Sequence, residues 1–185
     1  VIEVIGNSQH FLGVSVDVFL RDYWQKKPLL IRQAFPNFVP PLSPEDLAGL
    51  ACEQGPLSRI VTYQRKDDNW QLRTGPFSED EFPELGHHDW TLLVQDMDKW
   101  DADVAELLLP FSFLPRWRID DIMISFAVEG GSVGPHIDQY DVFLVQAMGR
   151  RNWQIENIQR HEPAFRPDAD LKLLQEFNAS HSWDL

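Results

Sequence analysis

Residues 121–155 read DIMISFAVEGGSVGPHIDQYDVFLVQAMGRRNWQI, and this stretch decides the fold class. Asp121 to Val128 alternates with the period of a strand. Gly130-Gly131 supplies a turn, Val142 to Gln146 is a β-rich run, Gly149 breaks it, and Asn152 to Ile155 begins another strand. Short strands separated by glycine turns, with no helix between them, predict an antiparallel sandwich or barrel rather than a βαβ fold. After Ile155 the pattern weakens. Residues 157–170 read as loop, Leu171 to Phe177 as a short helix, and His181 to Leu185 shows no closing strand pattern. About three or four strands are too few to close a barrel of roughly eight.

Upstream the reading is mixed α and β. Ser15 can cap a helix running to about Trp24, and Leu29-Leu30-Ile31 follows as a short buried strand. Ser43, Pro44, Glu45 and Asp46 form a helix start that should run to about Cys52. Ile60 to Tyr63 and Trp70 to Arg73 read as strands joined by a polar turn. Asp89 to Trp100 and Asp103 to Leu109 read as helices, ending at Pro110 and Pro115. The expected class is therefore mainly β with N-terminal α/β elements. Residues 1–115 flank the barrel, and 116–185 hold its first part.

Composition bounds the function. Of 185 residues, 43% are hydrophobic and 24% charged, which suits a packed core and argues against disorder. The net charge of −13 opposes phosphate neutralisation, so no direct nucleic-acid binding is expected. Residues 75–109 carry ten Asp or Glu against one Lys, a net of −9, which reads as a solvated face or as a docking surface for something cationic. The single cysteine, Cys52, excludes an internal disulfide and any CxxC zinc site. The N-terminal residues lack the basic start of a signal peptide, and no uncharged apolar run approaches the ~20 residues of a membrane helix. A soluble cytoplasmic protein with no membrane partner is the expectation, and the Asn178-Ala179-Ser180 sequon carries no meaning in that setting.

Chemistry concentrates in Gly134-Pro135-His136-Ile137-Asp138. His136 and Asp138 lie two residues apart, so on an extended backbone both project to one side and can reach one metal ion. An imidazole and a carboxylate are two of the three ligands of the facial triad in non-haem iron(II) oxygenases. The competing reading is a solvent-facing His with an Asp that caps a turn. Arg151 alternates with Trp153 and Ile155, so it points inward wherever those two do. A buried guanidinium needs an anion, and its fork fits a carboxylate such as that of 2-oxoglutarate, or an internal Asp such as Asp141. Ser125, on the face of Met123 and Ala127, could donate a hydrogen bond in the same cavity. His87-His88-Asp89 reads as surface, and Gly130 to Gly134 lacks the Lys-Ser/Thr of a phosphate loop.

The run from Trp117 to Trp153, with WRIDDIMISF, GGSVGPHIDQYDVFLVQ and GRRNW, closely resembles the bacterial JmjC-type ribosomal oxygenases, and YWQKKPLLIR and SPEDLAGL resemble the same family's N-terminal region. The resemblance implies a double-stranded β-helix, the jelly roll of the cupin superfamily. It also implies an Fe(II)- and 2-oxoglutarate-dependent dioxygenase that hydroxylates an arginine side chain of a large-subunit ribosomal protein. Carried over by residue, His136 and Asp138 are metal ligands and Arg151 binds the distal carboxylate of 2-oxoglutarate. The family's third ligand is a second His on a later strand after a Pro-Gly turn. Beyond Ile155 the sequence offers His161 and His181, neither after such a turn. The chain is thus expected to be the front part of an oxygenase, inactive alone and a homo-oligomer when complete. Two other classes remain: a non-catalytic acidic module that binds a basic protein, and another cupin-type metalloprotein.

Overall fold

The computed structural model describes residues 2–157 and 162–185. Its elements, in chain order, are β1 (Ile2–Ile5), α1 (Val16–Asp22), β2 (Leu29–Arg32), α2 (Pro44–Cys52), β3 (Ser58–Gln64), β4 (Asn69–Thr74), β5 (Trp90–Val94), α3 (Met97–Trp100), α4 (Ala102–Glu106), β6 (Ile124–Ala127), β7 (Asn152–Ile155) and β8 (His181–Asp184). Strands outnumber α-helices, and among the described residues no barrel closes. Two compact units are distinguished: one from residues 1–40, 138–159 and 178–185, the other from residues 41–137 and 160–177.

In the first unit β1 and β2 pair in parallel, Ile2 opposite Leu29 and Ile5 opposite Arg32. Arg32 Nε donates to Glu3 at 2.8 Å across that pair. Ser15 caps α1 by accepting from the Val18 N–H at 3.3 Å, as expected for a residue that competes well for orphan helix donors. The helix buries Phe19, whose ring lies 6.0 Å from Trp24 and 5.9 Å from Phe143. The expected short strand is present as β2, but half-buried rather than buried.

The second unit holds a four-stranded antiparallel sheet in the order β4-β3-β5-β6. Ser43 and Asp46 form the capping box that starts α2, with Pro44 inside the first turn. Leu47 and Ala51 of that helix share one core with Ile60, Phe77, Trp90, Leu92, Val94, Met97 and Val104. Ile122, Ile124, Phe126 and Val128 pack against it. The alternation of residues 121–128 therefore turns Met123, Ser125 and Ala127 to the other face of the sheet. Residues 162–177 are tied to this unit by Arg166, which pairs with Asp68 at 2.8 Å and Asp168 at 2.7 Å, and by the Leu174 N–H, which donates to the Pro135 carbonyl at 2.8 Å.

Four local expectations are corrected. Trp90–Val94 is a strand, not part of a helix; only Met97–Trp100 at the end of that stretch is helical. All five residues of β5 are buried, so neither period could be read from an apolar run hidden on every side. Val142 to Gln146 is not a strand: no ladder reaches it among the described residues, Phe143 packs on Trp24 at 5.6 Å, and Val142, Leu144 and Val145 stay exposed. Leu171 to Phe177 is not a helix; Leu174 instead bridges Phe165, and Leu173 and Leu174 are buried. His181–Asp184 does form a strand, β8, because β7 supplies an antiparallel partner.

Candidate functional site

Gly134 opens the motif because its φ of +75° suits glycine, and a Cβ there would stand 2.7 Å from Leu173. The tight turn brings His136 Nδ1 to 2.9 Å from the Gly134 carbonyl oxygen. That oxygen can only accept, so Nδ1 carries the hydrogen and the ring lone pair sits at Nε2. This is how a metal-binding imidazole is commonly oriented, by a hydrogen bond on its other nitrogen. His136 and Asp138 are both exposed. His136 belongs to the second unit and Asp138 to the first. Among the described residues no group of three or more His, Cys, Asp or Glu is placed to hold a metal ion. The donor types suit a divalent metal.

Arg151 sits just before β7, and its N–H and C=O pair with Leu185 at 2.9 and 3.0 Å. Residues 151, 153 and 155 are partly buried while 152 and 154 are exposed, so Arg151 does share the inward face of Trp153 and Ile155. Its guanidinium lies over the Trp153 ring, 5.6 Å from the centroid. Burial pushes the guanidinium below its ordinary value, and no carboxylate pairs with it among the described residues. His181 and Trp183 of β8 lie opposite Ile155 and Trp153, on that same face, with their rings stacked 5.4 Å apart. Trp153 Nε1 and His181 Nδ1 are buried without a hydrogen-bond partner among the described residues. His161 lies outside the described residues.

Ser125 of β6 is exposed and stands in register with Leu93, which in turn faces Arg59 of β3. Sequence reasoning missed Arg59 and Thr91, which share the Ser125 face. Arg59 Nε and Thr91 Oγ1 are buried and unpartnered among the described residues. Period-two counting along Ser58–Gln64 places Arg59 beside Val61, but only the register with β5 and β6 relates it to Ser125.

Comparison with known proteins shows what these residues resemble. Residues 106–185 match the family model of the JmjC domain. Over 81% of its length the chain is 48% identical to the ribosomal protein uL16 3-hydroxylase of Escherichia coli, of which it covers 39%. A crystal structure of E. coli YcfD aligns with a TM-score of 0.85 and 44% identity over 94% of this chain and 45% of that one. YcfD, a ribosomal oxygenase, in complex with cobalt and 2-oxoglutarate aligns with a TM-score of 0.79 and 43% identity, over 94% of this chain and 44% of that one. The chain spans about two fifths of the length of the curated relatives it matches. The matched segment includes β6, β7, β8, the His136–Asp138 motif and Arg151, and the likeness to YcfD bears out the fold class expected from the sequence. No described helix is long and apolar enough to cross a membrane.

Proposed function

We propose that this chain is the metal- and cosubstrate-binding part of an Fe(II)- and 2-oxoglutarate-dependent dioxygenase that hydroxylates an arginine side chain of a large-subunit ribosomal protein. The carrying observation is Arg151, a guanidinium drawn into partial burial with no ion-pair partner among the described residues. Its fork suits the distal carboxylate of 2-oxoglutarate bidentately. The uL16 3-hydroxylase relative supports the substrate class, and the cobalt and 2-oxoglutarate complex of YcfD supports the ligand class. Cobalt(II) there stands in for Fe(II), a neighbouring divalent ion with similar ligand demands.

His136 holds the metal through Nε2 and Asp138 through its carboxylate, while the Ser125 hydroxyl is assigned a hydrogen bond to the cosubstrate. When bound, Fe(II) and 2-oxoglutarate supply oxygen activation: 2-oxoglutarate leaves as succinate and CO2, one oxygen atom enters the succinate, and the other enters a substrate C–H bond. The protein's own part is to orient. The Gly134 carbonyl fixes the His136 ring, and the Trp153 face holds the Arg151 guanidinium in a setting poor in water, where a carboxylate binds it more strongly. The net charge of −13 complements a basic ribosomal protein. A cytoplasmic location, the division at residues 115 and 116, and a homo-oligomeric complete protein belong to the same proposal.

The test is 2-oxoglutarate binding to the chain with and without Co(II), followed by succinate release with Fe(II) and ribosomal protein uL16 once a further imidazole ligand is supplied in cis. The expected result is metal-dependent binding that His136→Ala, Asp138→Ala and Arg151→Ala each weaken, and product heavier by one oxygen atom on an arginine. Metal-independent binding, or none, favours the non-catalytic binding module.

A further inference from the structure

Residues of α3 and of the stretch from 105 to 119 enclose a cleft of about 440 Å³ within the second unit. Leu108, Leu109, Leu114 and Ile119 give it apolar walls, and Asp98 and Arg116 also line it. The Asp98 side chain is only 3% exposed. One of its oxygens, Oδ1, accepts from the Ile122 N–H at 2.9 Å, a bond that anchors α3 to the start of β6. The other, Oδ2, is reached by Arg116 Nη2 at 3.4 Å, near the outer limit of a hydrogen bond, and the Arg116 side chain is 64% exposed. A buried carboxylate oxygen with so long a contact keeps much of its desolvation cost uncompensated. A cation that approached it more closely would displace Arg116 with little loss.

The surroundings select what that cation belongs to. Leu109 is 68% exposed, an apolar wall that water covers poorly. Asp103 and Glu106 are exposed on α4, and the stretch of residues 75–109 carries its net of −9 into this region. Apolar walls, a buried carboxylate and an acidic rim complement a basic segment that also carries an apolar side chain. We propose that this cleft docks a basic segment of the protein substrate. A Lys or Arg of the partner takes Asp98 Oδ2 in place of Arg116, and a nearby apolar side chain covers Leu108, Leu109 and Leu114. The inference rests on the reading of a ribosomal protein as substrate. His136, Asp138 and Arg151 do not line the cleft, so it acts on capture of the protein and not on the cosubstrate.

The test titrates ribosomal protein uL16 into the 185-residue chain by calorimetry, alongside a separate titration of 2-oxoglutarate with Co(II). Leu109→Asp replaces an exposed wall without touching the core, and Asp98→Asn keeps the acceptor for the Ile122 N–H. Each should weaken uL16 binding by about tenfold, the size of effect a central anchor commonly gives. Glu106→Lys should weaken it less and flatten its dependence on salt. Leu57→Asp, another exposed apolar site away from the cleft, should leave it unchanged. All four variants should bind 2-oxoglutarate as the parent does. Parent-like affinity in both Leu109→Asp and Asp98→Asn overturns the inference, and so does absence of uL16 binding by the parent. Either outcome is distinct from failure of the oxygenase reading, which would show as loss of metal-dependent 2-oxoglutarate binding.

Discussion

Arg151→Met pits two roles of one side chain against each other. A structural arginine would lose stability on this change, whereas an arginine held for a ligand would lose affinity and little else. Burial already pushes the guanidinium down, and no carboxylate compensates it among the described residues. Because the charged form is the one disfavoured, its folding cost is present throughout the working pH range. Met has a similar reach and keeps the apolar stem against Trp153, so stability should stay level or rise by about 1 kcal/mol. Loss of a buried bidentate pair costs ~2–5 kcal/mol. That is roughly a 30-fold to 4,000-fold weaker dissociation constant for 2-oxoglutarate. Calorimetry with Co(II) present reads the affinity. Thermal melting reads the stability, and 2-oxoglutarate at about 100 times its parent dissociation constant should protect the parent by ~2.7 kcal/mol and the variant by no more than ~0.9 kcal/mol. A variant that binds 2-oxoglutarate within about threefold of the parent, or that loses more than ~2 kcal/mol without ligand, refutes the reasoning.

Other outcomes follow from the same structure. Thr91→Val removes a buried hydroxyl that has no partner among the described residues, and should raise stability by about 1 kcal/mol, read as a higher urea midpoint at unchanged slope. Leu92→Ala, at a 1% exposed position of the central strand, should cost ~2–5 kcal/mol, whereas Val142→Ala, 45% exposed, should cost under about 0.5 kcal/mol by the same denaturation. The Asp46 carboxyl is held below the usual carboxylate range by its hydrogen bonds from the Ser43 side chain and backbone. The stability it lends α2 is therefore complete above the ordinary Asp value, and is lost as pH falls through the depressed folded-state value. Melting curves of the parent should fall more steeply below about pH 4 than those of Asp46→Asn. Visible absorption of Co(II) bound to the chain should disappear in His136→Ala while the melting curve stays put, since His136 is exposed.

Elements whose cause is local were legible in the sequence. Ser15 and Ser43 announce helices because a cap needs only donors two or three residues ahead, and both caps form where the sequence places them. The turn between β3 and β4 likewise needs only its own polar residues, and the pairing runs from Arg59 opposite Thr74 to Gln64 opposite Asn69. Around the site, alternation alone put Arg151 on the face of Trp153 and Ile155, and the motif named His136 and Asp138 as donor types.

Elements that depend on a distant partner were not legible. Trp90–Val94 joins two neighbours, β3 and β6, and is buried throughout, so its apolar run carries no period to distinguish strand from helix. Val142 to Gln146 has the composition of a strand but gains no ladder, while His181–Asp184 lacks a strand's signature and gains one from β7. Backbone propensity differs between such segments by only ~1 kcal/mol, less than a few ladder hydrogen bonds supply. The same limit governs function. The chain's acidity, its HxD motif and the inward turn of Arg151 were determined by the sequence itself, because charge and short-range periodicity do not depend on what packs where. The buried Asp98 in its apolar cleft, the unpartnered Arg59 Nε and Thr91 Oγ1 on the face of Ser125, and the His181 face opposite β7 were decided only by tertiary structure, because burial and pairing belong to residues brought together from separate elements.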